Sequence, residues 1–280
     1  AGQPLLQHVI DTAQTLNPSQ IHVVVGYGAE VVQEAISGQR LKFHSQKEQL
    51  GTGHAVGCAL PACQPDSVVL VLFGDVPLIA ASTLQAVISG AQQKPIMLAA
   101  RLPDPSGYGR VLRDEAGGFM AVVEQADASE SEALISEVNT GVLAAPADQL
   151  ASLLSSVSND NAQGEYYLPD VLGLARQQGI AVEVVVTDDP LEMYGVNNRA
   201  QLQELERSLQ CRRADALMDA GVAVADRQRI DIRGDLKCGV DVAIDINVVF
   251  EGQVRLGDGV RVGAHCVLKD VTVSSGTDIQ

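Results

Sequence analysis

The sequence predicts an α/β domain with a mostly parallel sheet, followed by the first coils of a left-handed parallel β-helix. Three observations support this prediction: strand-like and helix-like segments alternate up to residue 187, a long helical pattern spans residues 198–220, and a six-residue apolar repeat fills the remainder. Alternating element types are typical of a parallel sheet covered by helices. A six-residue period belongs neither to a helix nor to a simple strand.

The most strand-like segment is residues 68–73, a continuous apolar and β-branched run that suits a strand buried on both faces. The segments predicted as strands are 21–25, 68–73, 96–102, 138–145 and 182–187, with a hairpin over 110–124. The segments predicted as helices are 5–16, 29–36, a stretch after residue 53, 82–88, 147–154 and 165–178. Together they predict the α/β domain over residues 1–197.

The remainder of the chain is predicted to hold a linker helix over residues 198–221 and a partial β-helix over residues 222–280. The linker places Leu202, Leu205 and Leu209 on one stripe. The apolar repeat has two registers, Ile230, Leu236, Val242, Val248, Val254, Val260 and Cys266, and Ile232, Cys238, Ile244, Phe250, Leu256, Val262 and Leu268. Stacked coils of three short strands produce such a period.

The composition excludes several classes of protein. A formal charge of −16, from 19 Lys and Arg against 35 Asp and Glu, argues against nucleic-acid binding, which requires clustered basic side chains. No apolar run approaches the length of a membrane span. The five cysteines match no zinc or disulfide spacing, which favours free thiols in the cytoplasm. An acidic protein that handles phosphates would need a bound cation.

Asp75 is the strongest candidate for a metal ligand. It follows the predicted strand 68–73, and ligands of open α/β sheets bind beyond the carboxyl ends of strands. Gly74 would let a ligand approach the backbone, and a carboxylate at this point suits Mg²⁺. The alternative interpretation is an Asp that ends a strand before the turn at Pro77.

The segment from Gln46 to Gly53 is a second candidate. Gly51 and Thr52 open a predicted helix, so backbone N–H groups would point outward. Gln46 and Gln49 each carry an amide that can pair with the donor and acceptor edge of a pyrimidine such as uracil. A plain helix cap followed by a polar turn is the alternative.

Further polar residues stand at element boundaries. Glu124 and Asn139 could hydrogen-bond sugar hydroxyls or an acetamido group, and the Asn197 carbonyl could complete a metal site. The run Tyr108-Gly109-Arg110 is of the same kind. Turns and caps would explain each of these positions equally well.

Six motifs in order carry a resemblance to a family. They are Gln-Leu-Gly-Thr-Gly-His-Ala, Gly-Asp-Val-Pro-Leu, Asp-Pro-x-Gly-Tyr-Gly-Arg, Val-Asn-Thr-Gly, Asn-Ala-Gln-Gly-Glu-Tyr-Tyr and Gly-Val-Asn-Asn-Arg, followed by the six-residue repeats. The series resembles the bacterial bifunctional N-acetylglucosamine-1-phosphate uridylyltransferases and glucosamine-1-phosphate acetyltransferases, and it covers essentially all of the chain. The resemblance implies a Rossmann-like nucleotidyltransferase domain.

The resemblance also implies an activity and a site. The family converts UTP and N-acetylglucosamine 1-phosphate to UDP-N-acetylglucosamine and pyrophosphate for cell-wall precursors. Asp75 and Asn197 would hold the catalytic Mg²⁺. The residues implied to contact the substrates are Gln46, Gly51 and Thr52 at the uridine, Phe73 and Gly74 along the nucleotide, and Gly109, Glu124 and Asn139 at the N-acetylglucosamine portion.

The sequence departs from the family in two places. The Gly-rich signature loop Leu-x-x-Gly-x-Gly-Thr-Arg-Met and the later β-helix coils with the acetyltransferase site are not among these residues. We therefore expect a fragment cut at both ends, with impaired turnover, from a parent that forms a homotrimer. A pyrophosphorylase for another sugar 1-phosphate and a non-catalytic sugar-nucleotide scaffold are the alternatives.

Overall fold

The computed structural model of the protein describes residues 2–280 and separates an α/β unit, Pro4–Gly195, from a second unit that comprises residues 2–3 and Val196–Gln280. The helices of the α/β unit are α1 (Leu5–Thr15), α2 (Ala29–Ala35), α3 (Thr52–Ala59), α4 (Ala81–Gly90), α5 (Glu130–Ala133), α6 (Ala147–Leu154) and α7 (Asp170–Gln177). Its strands are β1 (Ile21–Val25), β2 (Leu41–Ser45), β3 (Val68–Val71), β4 (Ile96–Arg101), β5 (Arg110–Arg113), β6 (Phe119–Val123), β7 (Glu137–Pro146) and β8 (Glu183–Thr187).

The main sheet has six strands, in the order β6-β5-β7-β4-β8 with β3 also paired to β7. Strands β3, β4 and β5 all run antiparallel to β7, and β8 runs parallel to β4, so four strands share one direction. Strands β1 and β2 form a separate parallel pair. These directions confirm the prediction of an α/β domain with mostly parallel strands, with β6 and β7 running in the opposite direction.

Both faces of the main sheet are buried. Strand β4 shows this, because its alternate residues point to opposite faces and pack in different clusters. Ile96 and Leu98 pack in one cluster with Leu84 and Val87 of α4. Met97 and Ala99 pack in another cluster, whose other members include the buried residues Leu150, Leu153, Val171 and Leu172 of α6 and α7. The continuous apolar character of the strand follows from this two-sided burial.

One local prediction needs correction, and one strand was not predicted. The helix predicted over residues 165–178 begins only at Asp170. The segment before it is extended because Tyr166 N donates to Leu50 O and Tyr166 O accepts from Gly53 N, bonds that a helix could not make. The strand β2 lacked a recognisable signal, since its residues LKFHS are only partly buried.

The second unit begins with α8 (Arg199–Asp219) and continues with short strands. They are β9 (Ala223–Val224), β10 (Ile230–Cys238), β11 (Ala243–Ile244), β12 (Val248–Leu256), β13 (Arg261–Val262), β14 (Val267–Val273) and β15 (Asp278–Ile279). All pairings are parallel, in the orders β10-β12-β14 and β15-β13-β11-β9. Ile230 pairs with Val248, which is 18 residues further along the chain.

The apolar repeat positions of the second unit share one core. Ile230, Val248, Val254 and Val260 are buried in the cluster that also contains Phe250. Apolar residues of β10 therefore lie beside their equivalents in β12, 18 residues further along the chain. Among residues 2–280, none of the helices combines the length and the apolar character that a membrane span requires.

Candidate active site

Asp75 lies just beyond the carboxyl end of β3, in the turn that Val76 N closes by donating to Phe73 O over 3.3 Å. The side chain is half-buried. A Cβ placed on Gly195 would lie 3.4 Å from Asp75 Oδ2, so the backbone near residue 195 passes directly beside the carboxylate. Burial, Tyr194 and the Asp75 charge together raise the pKa of Tyr108 above its usual range. Asp75 thus faces Tyr108 and Gly195.

Phe73 connects this strand end to β7. Gly141 has a φ of +81°, and a Cβ on it would lie 2.2 Å from Phe73 Cε2, so the ring rests on the bare backbone of β7. Gly74 is exposed, and its nearest neighbour is the Leu6 side chain, 3.2 Å from a Cβ placed there. The glycine at residue 141 is therefore required by contact with an aromatic ring.

The three residues predicted at the sugar come together. Asn139 N donates to Gly109 O over 2.8 Å, and a Cβ on Gly109 would lie 3.0 Å from Glu124 Oε1. Asn139 Oδ1 accepts from Gly141 N at 2.9 Å, which orients the amide. The three positions belong to β7 and to the adjoining ends of β5 and β6. Residues distant in sequence thus form one polar cluster, which the single motifs did not reveal.

This cluster is acidic and partly dehydrated. Burial raises the pKa of Glu124, and the neighbouring Asp170 and Asp127 raise it further, while Arg110 opposes them. Burial and Asp127 also raise the pKa of Asp170. Because the carboxylates repel one another here, the site favours ligands that donate hydrogen bonds, such as hydroxyl groups.

Tyr167 belongs to the same cluster and was missed by the sequence analysis. It is only 9% exposed, and its buried hydroxyl has no hydrogen-bond partner within the described residues. Burial and the charges of Asp127 and Glu124 raise its pKa. Its position as the second tyrosine of the Asn-Ala-Gln-Gly-Glu-Tyr-Tyr motif was the only sequence signal for a role in the site. The direction in which the Tyr167 side chain points depends on the tertiary structure.

The segment from Gln46 to Gly53 forms a closed polar turn. Gln46 Nε2 donates to Gly51 O at 3.1 Å and lies 3.0 Å from His54 Nδ1, which leaves Gln46 Oε1 as an acceptor. Gln49 is exposed, and its Nε2 lies 2.6 Å from a Cβ placed on Gly26. This polar turn presents side-chain oxygens beside the first turn of α3.

Thr52 does not cap α3, which corrects one interpretation of this segment. It is the first residue of the helix, and its hydroxyl accepts from Leu168 N at 3.1 Å. Gly53 N donates to Tyr166 O at 2.7 Å. The polar turn is therefore bound to residues 166–168, and Tyr167 of the same segment reaches the acidic cluster.

Asn197 belongs to the second unit, two residues after Gly195. Its backbone N donates to Gln201 Oε1 at 2.8 Å, and Asn198 caps α8 by accepting from Gln201 N. Within residues 2–280 there is no group of three or more His, Cys, Asp or Glu side chains that could hold a metal ion. A cation at Asp75 would thus need oxygen atoms from amides, water or a ligand.

Comparison with known proteins agrees with this architecture. The chain is 51% identical to a Bifunctional protein GlmU of Burkholderia multivorans and 50% identical to one of Paraburkholderia phytofirmans, over 100% of this chain and 62% of each relative. The chain thus spans 62% of the length of these curated relatives.

A UDP-glucose pyrophosphorylase solved with UDP-glucose has a similar fold, with a TM-score of 0.55 at 16% identity over 66% of this chain and 79% of that one. The model of the MobA-like NTP transferase domain matches residues 1–224. The chain therefore belongs to the MobA-like NTP transferase domain family.

Proposed function

We propose that the protein transfers UMP from UTP to N-acetylglucosamine 1-phosphate, giving UDP-N-acetylglucosamine and pyrophosphate. The observation that carries this proposal is the cluster of Gly109, Glu124 and Asn139 around the backbone hydrogen bond from Asn139 N to Gly109 O. The polar turn at residues 46–53 is bound to the segment that ends at this cluster. The relatives named Bifunctional protein GlmU support the same assignment.

Uridine would bind at the polar turn. Gln46 Oε1 is free to accept from the N3–H of uracil, because Gln46 Nε2 already donates within the protein. The backbone at Gly51 and Thr52 opens α3, where unpaired N–H groups suit a uracil carbonyl oxygen. Phe73 and Gly74 would line the nucleotide on its way to Asp75.

The sugar would bind at the acidic cluster. Glu124 offers acceptor oxygens to sugar hydroxyls, and Asn139 offers an amide that suits hydroxyl or acetamido groups. Gly109 has no side chain, so the Glu124 carboxylate can lie directly over the backbone of this turn, 3.0 Å from the position that a Cβ would take. The hydroxyl of Tyr167 is available as a further donor, since it has no partner among the described residues.

Asp75 and Asn197 would hold a divalent cation, which we propose to be Mg²⁺. Mg²⁺ prefers oxygen ligands and keeps few of them from the protein, which fits one carboxylate and one amide. Gly195 lies beside the Asp75 carboxylate. Bound there, the cation would neutralise charge on the triphosphate.

The chemistry requires no protein nucleophile. A phosphate oxygen of N-acetylglucosamine 1-phosphate attacks the α-phosphorus of UTP, and pyrophosphate leaves from the opposite side. The protein contributes by holding the two substrates in line, the uridine at residues 46–53 and the sugar at Glu124 and Asn139. The scarcity of acid–base motifs in the sequence is consistent with this mechanism.

For the remainder of the chain we propose the division made from the sequence: the α/β domain over 1–197, a linker helix over 198–221, and a left-handed parallel β-helix over 222–280. Parallel pairing at an 18-residue step, as between Ile230 and Val248, supports three six-residue strands per coil. We further propose a homotrimeric parent that acts in the cytoplasm, where the five free cysteines would stay reduced.

Pyrophosphate release tests the proposed activity. With UTP, Mg²⁺ and N-acetylglucosamine 1-phosphate the parent protein should release pyrophosphate, and glucose 1-phosphate should support a much lower rate. Asp75→Asn should abolish release, whereas Asp66→Asn, at an exposed position before β3, should not change it. If the Asp75→Asn protein released pyrophosphate at an unchanged rate, the proposed metal site at Asp75 would be refuted. Binding of UDP-N-acetylglucosamine without turnover would favour the scaffold alternative.

A further inference from the structure

Arg110 is the most deeply buried charged residue of the described chain, with 1% of its surface exposed. It is the first residue of β5 and follows Gly109 directly. A buried guanidinium is unfavourable unless its N–H groups are hydrogen-bonded, so its presence beside the sugar cluster requires an explanation.

The guanidinium of Arg110 joins three segments. Its Nη1 donates to Tyr108 O. Its Nη2 donates to Gln125 Oε1 at 2.8 Å, just after the end of β6. Its Nε and Nη2 donate to Ala133 O at 3.3 and 3.2 Å, at the end of α5. The acceptors of these hydrogen bonds are all uncharged oxygen atoms, so no ion pair is formed and the bonds serve to hold the three segments in place.

The same contacts surround the sugar cluster. Gln125 Oε1 also accepts from Gly107 N at 3.1 Å, so one side chain holds both the turn before Gly109 and the guanidinium. Glu124 immediately precedes Gln125, and the Arg110 charge opposes the effects that raise the pKa of the Glu124 carboxyl. Asn139 N donates to Gly109 O. Arg110 thus stabilises the backbone that carries Gly109 and Glu124.

We propose that Arg110 is a positioning residue for sugar recognition: it clamps the turn at Tyr108, the end of β6 and the end of α5 so that Gly109 and Glu124 face the sugar. The proposal rests on the proposed function for the location of the sugar. A lysine could not replace Arg110. The planar guanidinium directs its N–H donors to three segments at once, whereas the single ammonium group of a lysine cannot reach all three.

Isothermal titration of UDP-N-acetylglucosamine and of UDP tests this role. In Arg110→Lys, affinity for UDP-N-acetylglucosamine should fall by about tenfold or more, as expected for several lost hydrogen bonds, while affinity for UDP should stay within about twofold. Arg113→Lys is the matched control on the same strand, where Arg113 pairs with Glu137. It should leave both affinities unchanged.

Two milder variants guard against misfolding of Arg110→Lys. Gln125→Leu removes an exposed acceptor and should lower affinity for the sugar nucleotide alone. Gln125→Glu keeps an acceptor oxygen for Gly107 N and Arg110, so its affinity for the sugar nucleotide should equal that of the unaltered protein. Equal losses for UDP and UDP-N-acetylglucosamine in these variants, or no loss at all, would overturn the positioning role.

Hydrogen exchange separates this proposal from the proposed function. If the unaltered protein binds UDP but not UDP-N-acetylglucosamine, the proposed substrate is wrong. The clamp is then judged by the amides of Gly107 and Asn139, which should exchange faster in Arg110→Lys, while the amide of Gly53 should not. Unchanged exchange at Gly107 and Asn139 would overturn the clamp.

Discussion

The α/β unit and the second unit organise their residues over different distances along the chain. In the second unit, Phe250 pairs with Ile232 and Leu268, each 18 residues away. In the α/β unit, β3 pairs with β7, so that Val68 lies opposite Pro146. A repeating sequence can therefore specify its own neighbours, whereas the unit that carries the candidate site depends on contacts between unrelated segments.

The largest expected effect tests the repeat core. Phe250 is 1% exposed, and Phe250→Ala should lower the free energy of unfolding of the second unit by about 3–5 kcal/mol through a cavity and lost burial. Urea denaturation measures this change. The control Val267→Ala, at a position that is 66% exposed, should change it by less than about 0.5 kcal/mol. Similar losses in both variants would contradict a core built on the repeat positions.

A second pair compares glycines of the two units, both with positive φ. Gly141→Ala should destabilise the α/β unit by about 3 kcal/mol, since the methyl group would meet the Phe73 ring in addition to the backbone strain. Gly259→Ala, where no atom lies within 4 Å of the new Cβ, should cost about 1 kcal/mol. Melting curves of both variants measure the two losses of stability. Equal decreases in melting temperature would show that backbone strain alone determines the loss, without a contribution from the Phe73 ring.

A smaller effect is the pH dependence of stability contributed by Glu124. Its pKa in the folded protein is raised, first by burial and then by Asp170 and Asp127. The folded state therefore binds more protons than the unfolded state between the ordinary and the raised pKa. The free energy of unfolding should fall as pH rises through that window. Urea titrations of Glu124→Gln should show a flatter profile there, and an unaltered slope would refute the assignment.

Asp231 in the second unit should act in the opposite direction. Burial alone would raise the pKa of its carboxyl, but hydrogen bonds from Arg233 and Arg207 outweigh burial and lower it. Its contribution to stability is present above its ordinary pKa and is lost as pH falls through the lowered pKa. In Asp231→Asn, the free energy of unfolding should no longer show this decrease at acidic pH, as measured by the same urea titrations. Glu124→Gln should leave the decrease in place.

The smallest expected effect concerns a single hydroxyl in each unit. Thr52→Val leaves Leu168 N without its acceptor, which should cost about 1 kcal/mol and weaken binding of uridine nucleotides several-fold. Thr277→Val in the second unit removes only an exposed bond to Ser274 O and should have no measurable effect on binding or stability. Calorimetry of UDP binding to both proteins checks this difference.

Local patterns predicted most of the elements but not all of their limits. The apolar run at 68–73 predicted β3, and the six-residue period predicted most of the buried residues of the second unit, although Leu236, Cys238 and Cys266 are only partly buried. The helix expected from residue 165 was wrong in its start, because Tyr166 forms hydrogen bonds with Leu50 and Gly53, more than 100 residues earlier. Periodicity reports on burial, and it carries no information about such a partner.

The candidate site was predicted as separate residues, and the roles of Tyr167 and Arg110 were missed. A buried tyrosine hydroxyl and a buried guanidinium look the same in sequence as exposed ones, since their environment is supplied by other segments. The pairing of Asp75 with Asn197 stays a prediction.

The amino-acid sequence by itself determined the alternation of elements, the repeat that forms the second unit and the polar residues available for chemistry. These properties depend on side-chain type and on spacing along one chain segment. Only the tertiary structure decided that Gly109, Glu124 and Asn139 converge, and that Arg110 lies buried behind them. Those contacts join strands distant in sequence, and their direction follows from how the strands pair in the sheet.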